Sequence, residues 1–285
     1  MGRRTYLLAL ATTALTYVLI LLGEFTAVSA SGATCGLQWP YCNGQLLPFG
    51  LPLHDFIEWF HRFVAMVVGF FIVGTGLAAW RYYDERDVRL GGLLAVVLLP
   101  IQVILGGTTV TFSGLVPWGY APITQAIHHL AALAIYAALI YTTLRVRELE
   151  GVRGGLGRVR TAALAGLAVL PLELAFSRNT LFSVYGLRVQ MVHHAFELLA
   201  FTAALVAFVW AVRRGAVRAA RATAAAVTLV TLQILLGTGI VSFSPAVQVA
   251  YYVLAGLLAA CFLFAARADV TDTAAERASA RTDAD

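Results

Sequence analysis

Long apolar runs separated by short polar segments dominate the hydrophobic pattern of the chain. Most runs reach the roughly 18 residues that mark a membrane-spanning helix, and none shows the two-residue alternation of a membrane β-strand. Because a helix satisfies its backbone hydrogen bonds internally, the pattern predicts membrane helices. Pro171 and Glu173 interrupt the fifth run, which is the weakest. Eight spans are predicted, at about residues 5–23, 56–80, 90–111, 122–144, 160–177, 188–212, 222–241 and 246–266.

The predicted spans form two similar halves of four. An even number of spans in each half gives both halves the same orientation, as in parallel repeats. The pattern therefore predicts an all-α integral membrane protein, with eight transmembrane helices in two tandem, pseudo-twofold-related four-helix bundles. Three pairs of segments show the repeat: PITQAIHHL (122–130) with PAVQVAYYV (245–253), QVILGGTTV (102–110) with QILLGTGIV (233–241), and EWFHRF (58–63) with QMVHHA (190–195).

Composition and charge support this topology. Of the 285 residues, 60% are hydrophobic and 12% are charged, which is too little polar surface for a soluble globule. All the positive charge is arginine, and it is concentrated before the first span, after the even-numbered spans and in the tail, while the opposite loops hold only Arg178 and Arg188. The positive-inside rule predicts a plasma-membrane protein with both termini in the cytoplasm. Since topology explains the basic charge, no nucleic-acid partner is expected.

Three regions are expected along the chain. The N-terminal half covers 1–149 and includes an outer cysteine loop at 24–54, the C-terminal half covers 150–267, and a polar tail covers 268–285. The tail is low in hydrophobic residues and predicts a disordered cytoplasmic extension. The first apolar run could also be a cleaved signal peptide, but its length fits a span better. In both cases the loop that follows is outside.

The first polar loop contains a cysteine pair. Cys35 and Cys42 lie in GATCGLQWPYCNG, whereas Cys261 lies in the last span and is interpreted as a packing residue. A disulfide can persist outside the cytoplasm. A free or metal-binding pair is the alternative, with only His54 nearby as a further ligand. The spacing does not separate a structural from a redox role.

Three histidines share one position in the even-numbered spans. His61, His129 and His193 each lie six or seven residues into a span that enters from outside, roughly 10 Å deep at 1.5 Å per residue. Burying such groups in a bilayer is costly, so a repeated position favours function over simple helix-to-helix hydrogen bonding. Facing imidazoles suit the two axial positions of a haem. A zinc site needs three or four close ligands, and each half offers too few.

Glu58 is the most notable charged residue within a span. It precedes His61 by three residues, so both side chains lie on one helix face. Its carboxylate could accept a proton or stabilise positive charge on a bound substrate. The alternative is an ion pair with Arg62 or a helix-capping role. Glu24 and Glu173 lie at a span end and in the weak span, and rank lower.

These motifs together resemble the haem A synthase family, the bacterial and archaeal relatives of the mitochondrial enzyme. The similarity rests on the loop CGLQWPYCNGQLLP, the helix motifs EWFHR, QVILGGTTV and QMVHH, and the tandem repeat, and it covers nearly all of 1–266. It implies that a methyl substituent of haem O is oxidised to a formyl group, which supplies haem A to cytochrome oxidases.

The resemblance also implies roles for residues. His61 and His129 would flank the substrate haem in the N-terminal half, and Glu58 would be the catalytic carboxylate beside the methyl group. His193 would ligate a haem b cofactor in the C-terminal half, which passes electrons. The expected partners are haem O, haem O synthase, cytochrome oxidase assembly factors, an unidentified electron donor and membrane lipid.

The cysteines and the histidine doublets are interpreted in the same way. Cys35 and Cys42 match a pair that forms a disulfide in many members of the family. His129 is preferred over His128 because a leucine follows it, as the family ligand usually has. His193 is preferred to the next histidine along the chain, because a second polar residue follows it where the family often has arginine.

The last span departs from the family pattern. The family places a fourth histidine there, and this sequence has Tyr251 and Tyr252. Tyrosinate favours ferric iron and suits a reversible electron relay poorly. Three outcomes remain open: a haem held by His193 alone or with tyrosine, a ligand recruited from His194, or no cofactor haem.

Other classes of function were weighed against the synthase. A non-enzymatic b-type cytochrome, passing electrons between a quinol and a partner, predicts the same ligands but gives Glu58 no necessary role. A thiol oxidase would need a second redox pair, and only Cys261 remains. A transporter would leave the shared level of the histidines unexplained. The synthase interpretation is therefore preferred.

Overall fold

The computed structural model describes residues 2–115, 121–151, 158–237, 240 and 242–282. Within these residues the structure is helical, and the one β-type pairing is an isolated bridge between Cys42 and Gln45. All eight helices are long and apolar enough to cross a membrane, so the predicted all-α, multi-pass membrane fold is confirmed. The helices are α1 (Gly2–Val28), α2 (Leu53–Tyr82), α3 (Arg86–Leu115), α4 (Pro122–Leu149), α5 (Arg158–Phe176), α6 (Leu187–Arg213), α7 (Val217–Gly237) and α8 (Pro245–Thr282).

The chain divides into two compact units, Met1–Val152 and Arg153–Asp285. In the first unit each helix packs against the next, and α1 also packs against α4, so the four helices form a closed bundle. In the second unit α5 to α8 pack in the same order, and α5 contacts α8. Each unit is thus a four-helix bundle of its own, as the tandem repeat predicts. The pseudo-twofold relation between the units stays a prediction.

Helix boundaries follow from local chemistry. Pro122 begins α4 in the first helical turn, where its missing N–H has no intrahelical partner to lose. Before α8, the hydroxyl oxygen of Ser244 accepts a hydrogen bond from the Val247 N–H at 3.3 Å, which caps the helix. After α6, Gly215 takes a φ of +69°, which glycine adopts without strain. The predicted weak span forms a helix of 19 residues despite Pro171.

The tail differs from its prediction. The sequence predicts that the last span ends near residue 266 and that a disordered extension follows, but α8 continues to Thr282. The prediction of disorder is wrong for the backbone up to that residue. Alanine, arginine and glutamate are strong helix formers, and extending an existing helix avoids the cost of nucleating a new one. Low hydrophobicity excluded a membrane span there but not a helix.

Small residues and hydroxyl groups bring the helices together inside each unit. A Cβ on Gly76 of α2 would lie 2.5 Å from Val96 Cγ2 of α3, so only glycine permits this close crossing. Between α1 and α2, the hydroxyl groups of Thr12 and Thr75 are hydrogen-bonded at 2.8 Å. In the second unit, Gly166 of α5 leaves the space that the ring of Phe262 fills. In lipid the hydrophobic effect provides little driving force for helices to associate. Close packing and hydrogen bonds between the helices provide it instead.

Candidate functional site

A disulfide closes the loop between α1 and α2. Cys35 and Cys42 are bonded, with Cα atoms 4.6 Å apart, which confirms the predicted disulfide and excludes a free or metal-binding pair. Trp59 of α2 donates its indole N–H to the Leu46 carbonyl oxygen at 3.1 Å, and the amide of Asn43 donates to the Asp55 carboxylate. The loop is therefore fastened to the first turns of α2.

Glu58 connects this loop to the bundle. Its side chain is buried, and Oε2 accepts hydrogen bonds from the Cys35 N–H at 2.5 Å and from the Thr34 hydroxyl at 3.2 Å. Oε1 forms an ion pair with Arg62, whose guanidinium also donates to the Gly36 carbonyl oxygen. The ion pair that the sequence offered as the alternative is present. A catalytic role of Glu58 stays a prediction.

Two histidines of the first unit share an unusual environment. His61 of α2 and His128 of α4 are half-buried, and in each ring the buried Nδ1 has no hydrogen-bond partner. Each ring lies against a glycine: a Cβ on Gly23 would be 3.2 Å from His61 Cε1, and a Cβ on Gly106 would be 3.2 Å from His128 Cε1. The two rings are close enough to interact electrostatically. The structure thus places near each other two imidazoles, each with a buried Nδ1 that has no hydrogen-bond partner.

His129, the predicted ligand, has a different environment. Its Nδ1 is paired with Oε1 of Glu24, and both side chains are buried, with 7% and 5% of their surface exposed. Successive residues on a helix point about 100° apart, so His129 faces α1 when His128 does not. The assignment of a ligand to His129 stays a prediction that these contacts do not favour.

His193 lies in a dense polar cluster of the second unit. Its Nδ1 is hydrogen-bonded to the Tyr185 hydroxyl, and its Nε2 to the Tyr251 hydroxyl at 2.7 Å. Oε1 of Glu197, one turn later on α6, lies 3.6 Å from the same Nε2. Both ring nitrogens are therefore hydrogen-bonded. In His61 and His128, by contrast, Nδ1 has no partner, although His128 Nε2 lies 3.3 Å from the side-chain nitrogen of Gln102.

Three more side chains complete this cluster. His194 Nδ1 lies 2.8 Å from Oε2 of Glu197, and its ring packs against Gly237. Glu173 Oε1 accepts a hydrogen bond from the amide of Gln233 at 3.2 Å. The Tyr251 hydroxyl oxygen lies 2.7 Å from Oε1 of Glu173 and 3.1 Å from Oε1 of Glu197, but it has one hydrogen and can serve one carboxylate at a time.

The cluster corrects one inference drawn from the sequence. Each half was expected to offer too few ligands for a metal such as zinc, yet ligand atoms of His193, His194 and Glu197 lie within 4.8 Å of one another. The signal was present as HHAFE at 193–197, because residues three and four apart share a helix face. The sequence analysis does not single out Glu197, which the structure places in this cluster together with Glu173.

Part of the chain is similar in sequence to proteins named heme A synthase. Over 134 residues the chain is 30% identical to a protein named heme A synthase from Bacillus mycoides strain KBAB4, covering 47% of this chain and 41% of the relative. Heme A synthases of Bacillus cereus strain AH187 and Bacillus anthracis strain CDC 684 / NRRL 3495 are 30% identical over 140 residues, covering 48% of this chain and 43% of each relative. The chain thus matches less than half the length of these curated relatives. They confirm the predicted resemblance to the haem A synthases, as do residues 51–177, which match the COX15-CtaA family, described as cytochrome oxidase assembly protein.

Proposed function

We propose that the protein is a membrane oxidoreductase of haem A biosynthesis, which oxidises a porphyrin methyl group of haem O to a formyl group. The observation that carries this proposal is the pair His61 and His128, two interacting imidazoles on different helices, each with a buried Nδ1 that has no hydrogen-bond partner. The relatives named heme A synthase support it. In this proposal both termini are cytoplasmic and the disulfide loop is outside, as the arginine distribution predicts.

The residues of the first unit fit a haem as substrate. His61 and His128 come from different helices and would bind the iron from its two faces, as two imidazoles do in b-type sites. Gly23 and Gly106 leave room for the rings, since a side chain at either position would press against an imidazole carbon. The pair of His129 with Glu24 joins α4 to α1 and fixes the helix that carries His128.

Glu58 and the disulfide loop would act next to that substrate. Glu58 precedes His61 by about one helical turn, so its carboxylate lies on the side of α2 that holds the haem. There it would stabilise positive charge or accept a proton as the methyl group is oxidised. Because the same carboxylate accepts the Cys35 N–H, the loop that covers the site is positioned by the catalytic group itself.

The second unit does not fit the haem b that the family resemblance implies. No ring nitrogen of His193 is free, and Tyr251 stands where a second imidazole is expected. The haem b cofactor stays a prediction without support from these contacts. Haem O synthase and oxidase assembly factors remain proposed partners. The b-type cytochrome is not favoured, because the relatives are named as synthases.

The test is haem analysis of the purified protein. The full chain is produced in cells that make haem O, and its haems are extracted in acidified acetone and identified by chromatography and mass. We expect haem A or its hydroxylated precursor. Only haem b would support the electron-transfer cytochrome, and no haem at all would contradict both functions.

A matched pair of variants separates chemistry from loop anchoring. Glu58→Gln and Arg62→Gln both break the ion pair between these residues, but only the first removes the carboxylate. We expect Glu58→Gln to retain haem O and form no haem A, while Arg62→Gln still forms it at a reduced rate. Equal loss of haem A in both variants would show that Glu58 only anchors the loop.

A further inference from the structure

The buried donors of the second unit form a site that the proposed function does not use. We propose that His193, His194 and Glu197, with the Tyr251 oxygen as fourth ligand, bind a divalent transition-metal ion in place of a second haem. The inference rests on the second unit alone and does not depend on the synthase activity proposed for the first.

The distances fit a small ion better than a macrocycle. In a tetrahedral site with metal–ligand bonds of 2.0–2.1 Å, the ligand atoms lie about 3.3 Å from one another. Here the Tyr251 oxygen lies 2.7 Å from His193 Nε2 and 3.1 Å from Glu197 Oε1, which is itself 3.6 Å from that nitrogen. The two axial ligands of a haem lie on opposite faces, about 4 Å apart at similar bond lengths. Tyr251 and His193, now hydrogen-bonded at 2.7 Å, would have to separate by about 0.6 Å to bind the ion and by about 1.3 Å to bind a haem.

A cation would also offset the negative charge that this cluster can carry. Glu173 and Glu197 are both fully buried, within a helix bundle of membrane-spanning length. Among the described residues the charged partners of Glu197 are His193 and His194, and neither carboxylate has an ion pair with arginine. An ionised carboxylate in such a setting is costly unless it is paired or binds a metal. A divalent ion would neutralise the two carboxylates and leave both imidazoles neutral, as metal ligation demands.

Two polar atoms without hydrogen-bond partners belong to side chains next to the proposed ligands. Oε2 of Glu173 and Oε1 of Gln233 are buried and make no hydrogen bond, although both side chains are fully enclosed. The other oxygen of Glu173 contacts the Tyr251 hydroxyl, and the amide of Gln233 holds that oxygen. Metal ligands are commonly oriented by a carboxylate behind them. Glu173 is placed to take the tyrosine proton when the oxygen binds a metal.

The donor set restricts the kind of metal. Two imidazoles and one carboxylate are the protein ligands of catalytic zinc sites and of non-haem iron sites. Mg²⁺ and Ca²⁺ prefer oxygen ligands, which are carboxylates, carbonyls and water, and therefore fit two imidazoles poorly. We therefore assign the site to the Zn²⁺ and Fe²⁺ class, and Zn²⁺ is the probe of choice because it has no redox chemistry.

The test measures metal and haem in the same preparation. The full chain is purified in detergent through an affinity tag without histidine, loaded with Zn²⁺ and desalted, and metals are counted by plasma mass spectrometry. We expect about one Zn²⁺ per chain in the unaltered protein and in His54→Ala, which removes an exposed histidine in the first turn of α2. We expect at least a tenfold loss of affinity in Glu197→Gln. No bound metal in the unaltered protein, or full binding in Glu197→Gln, would overturn the proposal.

Two further measurements keep the test decisive if Glu197→Gln does not fold. Co²⁺ in a four-coordinate site absorbs strongly in the visible region, so the unaltered protein loaded with Co²⁺ should be coloured, and a spectrum of hydrated Co²⁺ alone would reject the site. Haem is assayed in a variant carrying His61→Ala and His128→Ala. Stoichiometric haem b in that variant, lost when His193→Ala is added, would place a haem in the second unit and overturn the metal assignment.

Discussion

Replacing His128 of α4 should affect haem binding, whereas replacing the neighbouring His129 should affect the stability of the protein. His128 has an unpartnered Nδ1 and lies against Gly106, whereas His129 is held in a buried pair with Glu24. We expect His128→Ala to lose the low-spin spectrum of a haem with two imidazoles. We expect His129→Ala to keep that spectrum in whatever protein remains folded.

The expected loss of stability follows from the burial of the pair. Glu24 has 5% of its surface exposed, so removing His129 leaves a carboxylate in the bundle without its imidazole. Breaking a buried pair by removing one partner typically costs 3–5 kcal/mol. In a unit of this size 1 kcal/mol corresponds to about 2–4 °C in Tm, which predicts a decrease of about 10 °C. His128→Ala removes no hydrogen bond of Nδ1 and only one long contact of Nε2, with the Gln102 amide at 3.3 Å. Losing that contact costs about 1 kcal/mol, so the Tm should fall by about 3 °C.

Two assays decide between these outcomes. Unfolding in detergent is followed by tryptophan fluorescence, and haem binding is followed by titration with haemin. The double variant Glu24→Gln, His129→Ala serves as control, because it removes the carboxylate together with its partner and should recover part of the lost Tm. A His129→Ala protein with unchanged Tm and no low-spin haem would reverse the assignment and restore His129 as the ligand.

Three other substitutions test the packing around the site. Gly106→Ala places a Cβ 3.2 Å from His128 Cε1. Because such overpacking costs about 1 kcal/mol or more, this variant should bind haemin about fivefold more weakly. Gly107→Ala is the control: its Cβ meets open space, so the variant should bind haemin as before in the same titration. Replacing Cys35 and Cys42 by serine removes a short covalent loop worth about 2.5 kcal/mol and should lower both Tm and haem A yield; full haem A output would show that the disulfide is dispensable. Gly76→Ala forces α2 away from α3 and should cost about 1–3 kcal/mol, measured as a decrease in Tm, because its Cβ would lie 2.5 Å from Val96 Cγ2.

The helices could be predicted because hydrophobicity alone determines where a chain can cross a bilayer. A run of about 20 apolar residues has few alternatives to a membrane helix, so even the span containing Pro171 was found. The ends were less predictable, since helices continue into polar flanks wherever the residues favour a helix. The extension of α8 to Thr282 shows this, because hydropathy contains no information about helix propensity.

The site was predictable in its residue types and less so in its contacts. The internal repeat of the sequence indicates His61 and His193, and the sequence also shows the adjacent histidines His128 and His129 of α4. Choosing between His128 and His129 requires knowing which helix each one faces, because the two differ by about 100° around α4. The pairing of His129 with the Glu24 carboxylate favours His128 as the ligand. The position of Glu24 opposite α4 follows from the packing of α1 on α4 and not from any local pattern.

The repeat explains why the two units can have different chemistry on one architecture. His61 aligns with His193, and His128 aligns with Tyr251. In the first unit the aligned residues are two imidazoles with unused nitrogens, but in the second they are an imidazole and a phenol hydrogen-bonded at 2.7 Å. The phenol of Tyr251 occupies the position where a second imidazole would lie. Glu197, one turn after His193, adds a negative charge that does not suit an apolar haem pocket. With one histidine fewer, a haem in the second unit would have His193 as its single imidazole ligand. In the metal proposal, the two buried carboxylates beside His193 and His194 supply the charge that a metal ion needs.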